Sequence, residues 1–190
     1  RVLPMSKEPL EITAVSEELG SLDRSQRVKV IGQAEVATSA GRVCSVALEP
    51  ANPSACGEAL EAVAEADWVV MGPGSWYTSV IPHLLVPQLR AALTTTPANL
   101  ILTMNLEAHT AETRGFDTVD HLRVIREYAA DLQIHTILVD PTAVGDETRL
   151  IAEVAELGAN LLVADVASAS AGVHDPEKLA LAYTQIMASP

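Results

Sequence analysis

From residue 67 onward, short apolar runs alternate with segments in which apolar positions recur every three or four residues. The runs Trp68–Met71, 99–105, 135–140 and 160–166 predict buried strands. The segments 80–93, 118–132 and 148–157, and the stretch after Asp175, predict helices. In 118–132 the period is carried by Val119, Leu122, Ile125 and Ala129. Asp117 is placed to cap that helix, with Asp120 completing a capping box. Gly158 stops the helix before it, and Asp175-Pro176 supplies a cap and first-turn proline for the last helix. Pro87 is expected to kink or break the helix it sits in. Strands alternating with helices make right-handed βαβ units, and these build a parallel sheet.

The first third of the chain follows a different pattern. Residues 10–15 alternate apolar and polar, as a half-buried strand does. Valine-rich stretches at 27–36 and 42–48, separated by Thr38-Ser39-Ala40-Gly41, predict a β-hairpin. Asn52-Pro53 predicts a helix start, running to about Ala66 with Leu60, Val63 and Ala64 on one face. No repeat, low-complexity tract or linker divides the chain, so 1–190 reads as a single domain.

Composition narrows this picture. Hydrophobic residues make 48% of the chain but aromatic residues only 3%, so the core must be Ala, Val, Leu and Ile, which suits a parallel sheet between helices. The formal net charge is −13, from 12 basic and 25 acidic residues. With no basic stripe, that balance speaks against nucleic-acid partners and anionic membrane surfaces. No apolar run approaches the ~20 residues that span a bilayer, so no membrane insertion is expected. Cys44 and Cys56 lie outside any C-x-x-C pair and read as free thiols in a reducing compartment. No signal-peptide pattern is visible at the start, and Arg1-Val2-Leu3-Pro4, without Met, reads as an excerpt that begins partway through a larger protein.

Candidate chemistry gathers where parallel strands end, because ligands of open α/β sheets bind outside the carboxyl ends of the strands. Gly72-Pro73-Gly74-Ser75-Trp76-Tyr77-Thr78-Ser79 follows a strand and opens a helix, a layout that aims backbone N–H groups at an anion. Gly72 and Gly74 permit positive φ and close approach. Ser75, Thr78 and Ser79 offer hydroxyls to a phosphate, and Tyr77 offers a ring to a base or a hydroxyl to a sugar. The same residues also suit a plain strand–helix turn, with Ser or Thr as cap and Trp76 and Tyr77 packed on the surface. The run fits neither the G-x-G-x-x-G pattern nor the phosphate loop ending in G-K-[ST]. The next strand ends at Asn105 and enters a polar loop, 106–117, with Glu107, His109, Thr110, Glu112, Thr113 and Arg114. A loop of that length at a ligand edge is commonly functional. Arg114 would suit a phosphate, and Glu112 a hydroxyl or a divalent cation. A third strand end supplies Asp140-Pro141. His109 and His121 belong to no zinc-type spacing, and no G-x-S-x-G elbow occurs, so no metal ligands and no serine nucleophile are assigned.

The stretch from Gly72 through Tyr77 to Val86 closely resembles a signature of the YvcK-like branch of the CofD superfamily, of actinobacterial type. Asn105, Glu112-Thr113 and Asp120-His121 are similar to a second signature, approximately N-x-M-T-Q-x-G-E-T followed by D-H. The opening Arg1–Ser6 and Pro9-Leu10 resemble the middle of such proteins. The resemblance implies a Rossmann-like three-layer α/β fold, with helices on both faces of a mainly parallel sheet, in a cytoplasmic bacterial protein. YvcK-like members are gluconeogenesis factors that bind UDP-N-acetylglucosamine and affect cell shape and envelope synthesis. CofD enzymes transfer a phospholactyl-type group from a guanylyl-diphospho donor to a deazaflavin with magnesium. The implied ligand is a nucleotide diphosphate in either case, and a homodimer is consistent with the family. Carried onto this chain, the neighbours of that ligand are Gly72, Pro73, Gly74, Ser75, Tyr77, Thr78, Asn105, Glu112 and Thr113. Two departures stand out. The family's Gly-rich loop and acidic segment precede the region matched by Arg1, and its Met, Thr, Gln and Gly are Glu107, Ala108, His109 and Ala111 here. A non-catalytic UDP-sugar sensor is the favoured expectation, a transferase using magnesium the alternative, and a partner-binding protein with a vestigial pocket the third.

Overall fold

The computed structural model describes residues 1–17, 27–39, 41–107 and 110–188; Ala40, Ala108 and His109, named above, lie outside them. Four of the predicted apolar runs form a parallel sheet. They are β4 (Trp68–Met71), β5 (Asn99–Thr103), β6 (Thr136–Val139) and β7 (Asn160–Val163), hydrogen-bonded in the order β4-β5-β6-β7. Val70 stands beside Ile101, Leu102 beside Ile137 and Leu138 beside Leu162.

Period-2 alternation sends successive side chains to opposite faces, and both faces are covered. Leu100, Leu102, Ile137 and Val139 join the larger core, with Leu89 and Leu93 of α4 (Pro87–Thr95), Leu122 and Ile125 of α5 (Thr118–Tyr128), and Leu150 and Val154 of α6 (Glu147–Glu156). Ile101 and Leu138 face the other way, into a smaller core with Ala182 and Ile186 of α7 (Pro176–Ala188). Ile137, Leu138, Ile101 and Leu102 are sealed from solvent, each burial being worth about 1.5–3 kcal/mol. The result is the expected three-layer α/β architecture.

The first third holds a second, antiparallel sheet of β1 (Glu11–Glu17), β2 (Arg27–Ile31) and β3 (Arg42–Glu49), in the order β2-β1-β3. A hairpin is present near the start, but its pairing differs from the expectation. The stretches at 27–31 and 42–49 both pair with β1 and not with each other. The valine-rich run at 27–36 is also not one strand. Gly32, at φ 106°, ends β2, and Gln33–Ala37 forms a short helix, α1, that buries Val36 completely. β-branched residues on both sides of Gly32 disguised the break.

The Asn52-Pro53 helix start is also corrected. Helix α2 (Gly57–Ala64) begins after Cys56, because the preceding residues are held extended by the N-terminal segment. Ser6 bridges to Ala55, the Ser6 hydroxyl donates to the Ser54 carbonyl, and Gln88 accepts from the Ala55 N–H. Leu60 and Val63 pack against the core, whereas Ala64 is exposed.

The helix expected at 80–93 is broken as Pro87 requires. α3 (Pro82–Leu85) stops, Val86 is extended, and Pro87 opens α4. Asp117 and Asp120 form a complete capping box on α5, and Asp175 accepts from the Glu177 and Lys178 N–H groups at the start of α7. Cys44 and Cys56 are free thiols. Among the described residues no helix is long and apolar enough to cross a membrane.

At the carboxyl end of β6, Asp140 ties the sheet to the segment that follows β7. One carboxylate oxygen accepts from the N–H and hydroxyl of Thr142, and the other accepts from the N–H groups of Val166 and Ala167. Burial opposes ionisation of Asp140, but these bonds together hold its pKa below the usual value. Its folded pKa is depressed, so the stability it adds is present above the unfolded value and is lost as pH falls through the folded one. Asp140→Asn turns an amide donor toward donors on one side. Urea unfolding should show it less stable than the parent by about 1–3 kcal/mol at neutral pH, with the gap narrowing in acid; equal stability at both pH values would contradict this.

Candidate functional site

The carboxyl ends of β4 and β5 bring the two signature segments together. Gly72 has φ 71°, and a Cβ there would stand 2.7 Å from the Thr103 carbonyl oxygen, so only glycine fits beside β5. After Ser75 the chain winds into a π-helical turn, Trp76–Val80, in which the Val80 N–H reaches the Ser75 carbonyl and the Ile81 N–H that of Trp76. Turns of this wider kind occur frequently at functional sites.

Two side chains from the β5 side hold the glycine loop. Asn105 makes a paired contact with Gly74, accepting from its N–H at 2.9 Å and donating to its carbonyl at 2.8 Å. Glu112 reaches under the π-helical turn and is fully buried. Its Oε1 accepts from the Ser75 hydroxyl at 2.8 Å and from the Tyr77 N–H at 3.0 Å. Its Oε2 is buried without a partner among the described residues. Burial raises the Glu112 pKa above the ordinary carboxylate value, and the hydrogen bonds from the loop offset only part of that rise.

The helix start expected to meet a phosphate is therefore occupied by an internal carboxylate. Ser75 and the Tyr77 N–H are engaged with Glu112 in this structure. The Tyr77 side chain is a core member, 2% exposed and edge-on to Phe116, and burial drives its pKa upward. Thr78 is buried, and its carbonyl accepts from Gln33 of α1. Thr113 is buried, with its hydroxyl against that of Thr110 at 2.8 Å. His121 packs edge-on against Trp76, whose indole N–H donates to the His121 carbonyl. His121 thus belongs to the core under the turn, whereas the part-exposed Asp120 serves the cap of α5. Arg114 is exposed and does not line the crevice described next.

That crevice has a volume of about 370 Å³. Gly74, Ser75 and Asn105 form one wall, Glu107 and Thr110 a second, and Gly172 and His174 a third. A cavity of 430 Å³ between β4 and helices α2 and α4 is lined mainly by apolar groups such as Val63, Val69 and Leu89, and so lacks converging polar groups. Sequence reasoning missed Gly172 and His174. They follow β7, the fourth strand to end on this edge, and the same strand-end logic applied once more would have reached them. Among the described residues no three His, Cys, Asp or Glu side chains gather to hold a metal ion.

A family model described as 2-phospho-L-lactate transferase CofD matches residues 1–175, and the chain belongs to the CofD family. A Mycobacterium tuberculosis H37Rv relative that carries the gluconeogenesis-factor name is 43% identical over 183 residues, which are 95% of this chain and 53% of that protein. The gluconeogenesis factor of Listeria monocytogenes is 32% identical over 192 residues, 95% of this chain and 57% of its own. The chain spans about half the length of the curated relatives it matches. A solved Bacillus halodurans protein of the UPF0052 family superposes with a TM-score of 0.80 at 25% identity, covering 96% of this chain and 60% of that one. The membership read from the two signatures holds.

Asn105→Ala removes both bonds to Gly74 and should destabilise the protein by about 1–3 kcal/mol, with faster hydrogen exchange at the Gly74 amide; unchanged protection there would contradict the clamp. Glu112 gives a prediction of opposite sign to Asp140. Its folded pKa is raised, so its favourable contribution is complete below the unfolded value of 4.5 and is lost as pH rises through the folded value. Glu112→Gln keeps an acceptor for Ser75 and Tyr77 and removes the buried charge. Its stability relative to the parent should rise with pH in unfolding titrations, whereas a pH-independent difference would contradict burial of the charge.

Proposed function

We propose that this chain supplies one wall of a nucleotide-sugar site, with UDP-N-acetylglucosamine as the ligand, in a cytoplasmic gluconeogenesis factor that regulates envelope synthesis and cell shape. The observation that carries this reading is the polar crevice at the carboxyl edge of the parallel sheet, built from the glycine loop and the residues that clamp it. Family membership and the gluconeogenesis-factor name of the relatives support it. In this reading Asn105 and Glu112 shape the loop, and the backbone of Gly72-Pro73-Gly74 borders the ligand. Tyr77, Thr78 and Thr113 act from behind, by packing.

A second reading, transfer of a phospholactyl-type group from a guanylyl-diphospho donor to a deazaflavin, draws on the description of the matching family. Magnesium would serve there to neutralise phosphate charge, but the described residues bring no cation-binding cluster together, and Glu112 is spent on the loop. The sensor is therefore preferred.

Calorimetry of the full-length protein against UDP-N-acetylglucosamine should give saturable heat. No saturable heat at ligand concentrations on the order of millimolar would sink the sensor reading. Metal-dependent product from a deazaflavin and a guanylyl-diphospho donor would establish the transferase in its place.

A further inference from the structure

The crevice is polar, yet most of the donors expected to greet a phosphate are already engaged. The Ser75 hydroxyl and the Tyr77 N–H go to Glu112, the Asn105 amide goes to Gly74, and the Thr110 hydroxyl pairs with that of Thr113. Among the described residues, two that line the crevice keep a polar group without such a bond. The Glu107 carboxylate lies close to Gly172, so that a Cβ there would stand 3.3 Å from its Oε1. The His174 Nε2 is buried with no hydrogen-bond partner among the described residues. A buried polar nitrogen without a partner is unfavourable, and in native structures such an atom calls for an explanation.

The main chain at His174 is tied down by several backbone bonds. Its backbone bridges to Ala167, the Ser168 N–H donates to the Val173 carbonyl, and the Asp175 N–H donates to that of Val166. Asp140 anchors the base of this loop through the Val166 and Ala167 N–H groups. The main chain that carries the His174 imidazole is thereby held at the crevice wall.

We infer that the crevice receives a hydroxyl-bearing ring, with Glu107 and His174 as its hydrogen-bonding residues, and that the phosphates of the ligand lie outside it. This rests on the nucleotide-sugar reading above. The reason is the sign of the charge. Glu107 is the charged side chain on the crevice walls, and a carboxylate repels a phosphate but accepts from hydroxyls. Imidazole donates to or accepts from a hydroxyl through the same nitrogen, according to its tautomer. The ring is either the glycosyl unit or the ribose, since both present neighbouring hydroxyls.

Calorimetry on the full-length protein separates these cases, with Glu107→Gln and His174→Ala compared with the parent. The ligands are UDP-N-acetylglucosamine, UDP, 2′-deoxyuridine diphosphate and inorganic pyrophosphate. Each variant should weaken UDP-N-acetylglucosamine by about tenfold or more and leave pyrophosphate unchanged. If UDP is also unchanged, the ring is the glycosyl unit. If UDP weakens while 2′-deoxyuridine diphosphate does not, it is the ribose. Unaltered affinity for UDP-N-acetylglucosamine in both variants overturns the inference and leaves the wider reading standing, as does an equal loss for pyrophosphate. A parent protein that binds no nucleotide removes both. Glu107→Gln changes an exposed side chain, so it keeps the test open even where His174→Ala fails to fold.

Discussion

The buried carboxylate of Glu112 joins the two signature segments at the carboxyl edge of the parallel sheet. Glu112 comes from the long loop after β5, yet its bonds go to Ser75 and Tyr77, which follow β4. Carboxylates are almost never fully buried unless they are well bonded, and breaking such a bond leaves polar groups without water. The loop therefore cannot drift from the π-helical turn without exposing a buried acceptor and an unpaired N–H. Asn105 adds a second, neutral tie to Gly74. Together these two side chains make the glycine loop a rigid feature. The partial positive charge at this helix start is satisfied from within, by a carboxylate in the place where a helix terminus usually meets an anion.

Much of the parallel half could be read from the amino-acid pattern. Val119, Leu122, Ile125 and Ala129 are all buried as their spacing required, and the Asp117, Asp175 and Pro87 signals each marked a real boundary. Local rules governed those places. The first third was less legible because its outcome depended on distant partners. Nothing local announces that β1 would sit between β2 and β3, and the pull of Ser6 on Ser54 and Ala55 displaced the helix start from Asn52-Pro53.

The convergence of the candidate residues was legible, and their bonding partners were less so. Gly72, Gly74, Ser75, Asn105 and Glu112 do converge on one edge. What a sequence cannot display is which polar atoms are already committed to neighbours. Tyr77 illustrates this, since an aromatic residue beside a glycine loop reads equally as a stacking surface or as core, and the packing on Phe116 places it in the core. His174 was overlooked because it stands alone, outside any signature and far along the chain from the loop it faces. A family match to residues 1–175 includes it without singling it out.

The placement of α7 has a consequence for the order in which the molecule is completed. Ile101 and Leu138 lie on a face of the sheet covered by Ala182 and Ile186, which are made between 44 and 85 residues later. During synthesis that face must stay open to water after all four strands have emerged. The loop carrying His174 precedes α7 directly and is tied to the sheet edge through Asp140, so the third wall of the crevice is made after all four parallel strands. A nascent chain can bury the glycine loop and its carboxylate before the segment that carries Gly172 and His174 has been made.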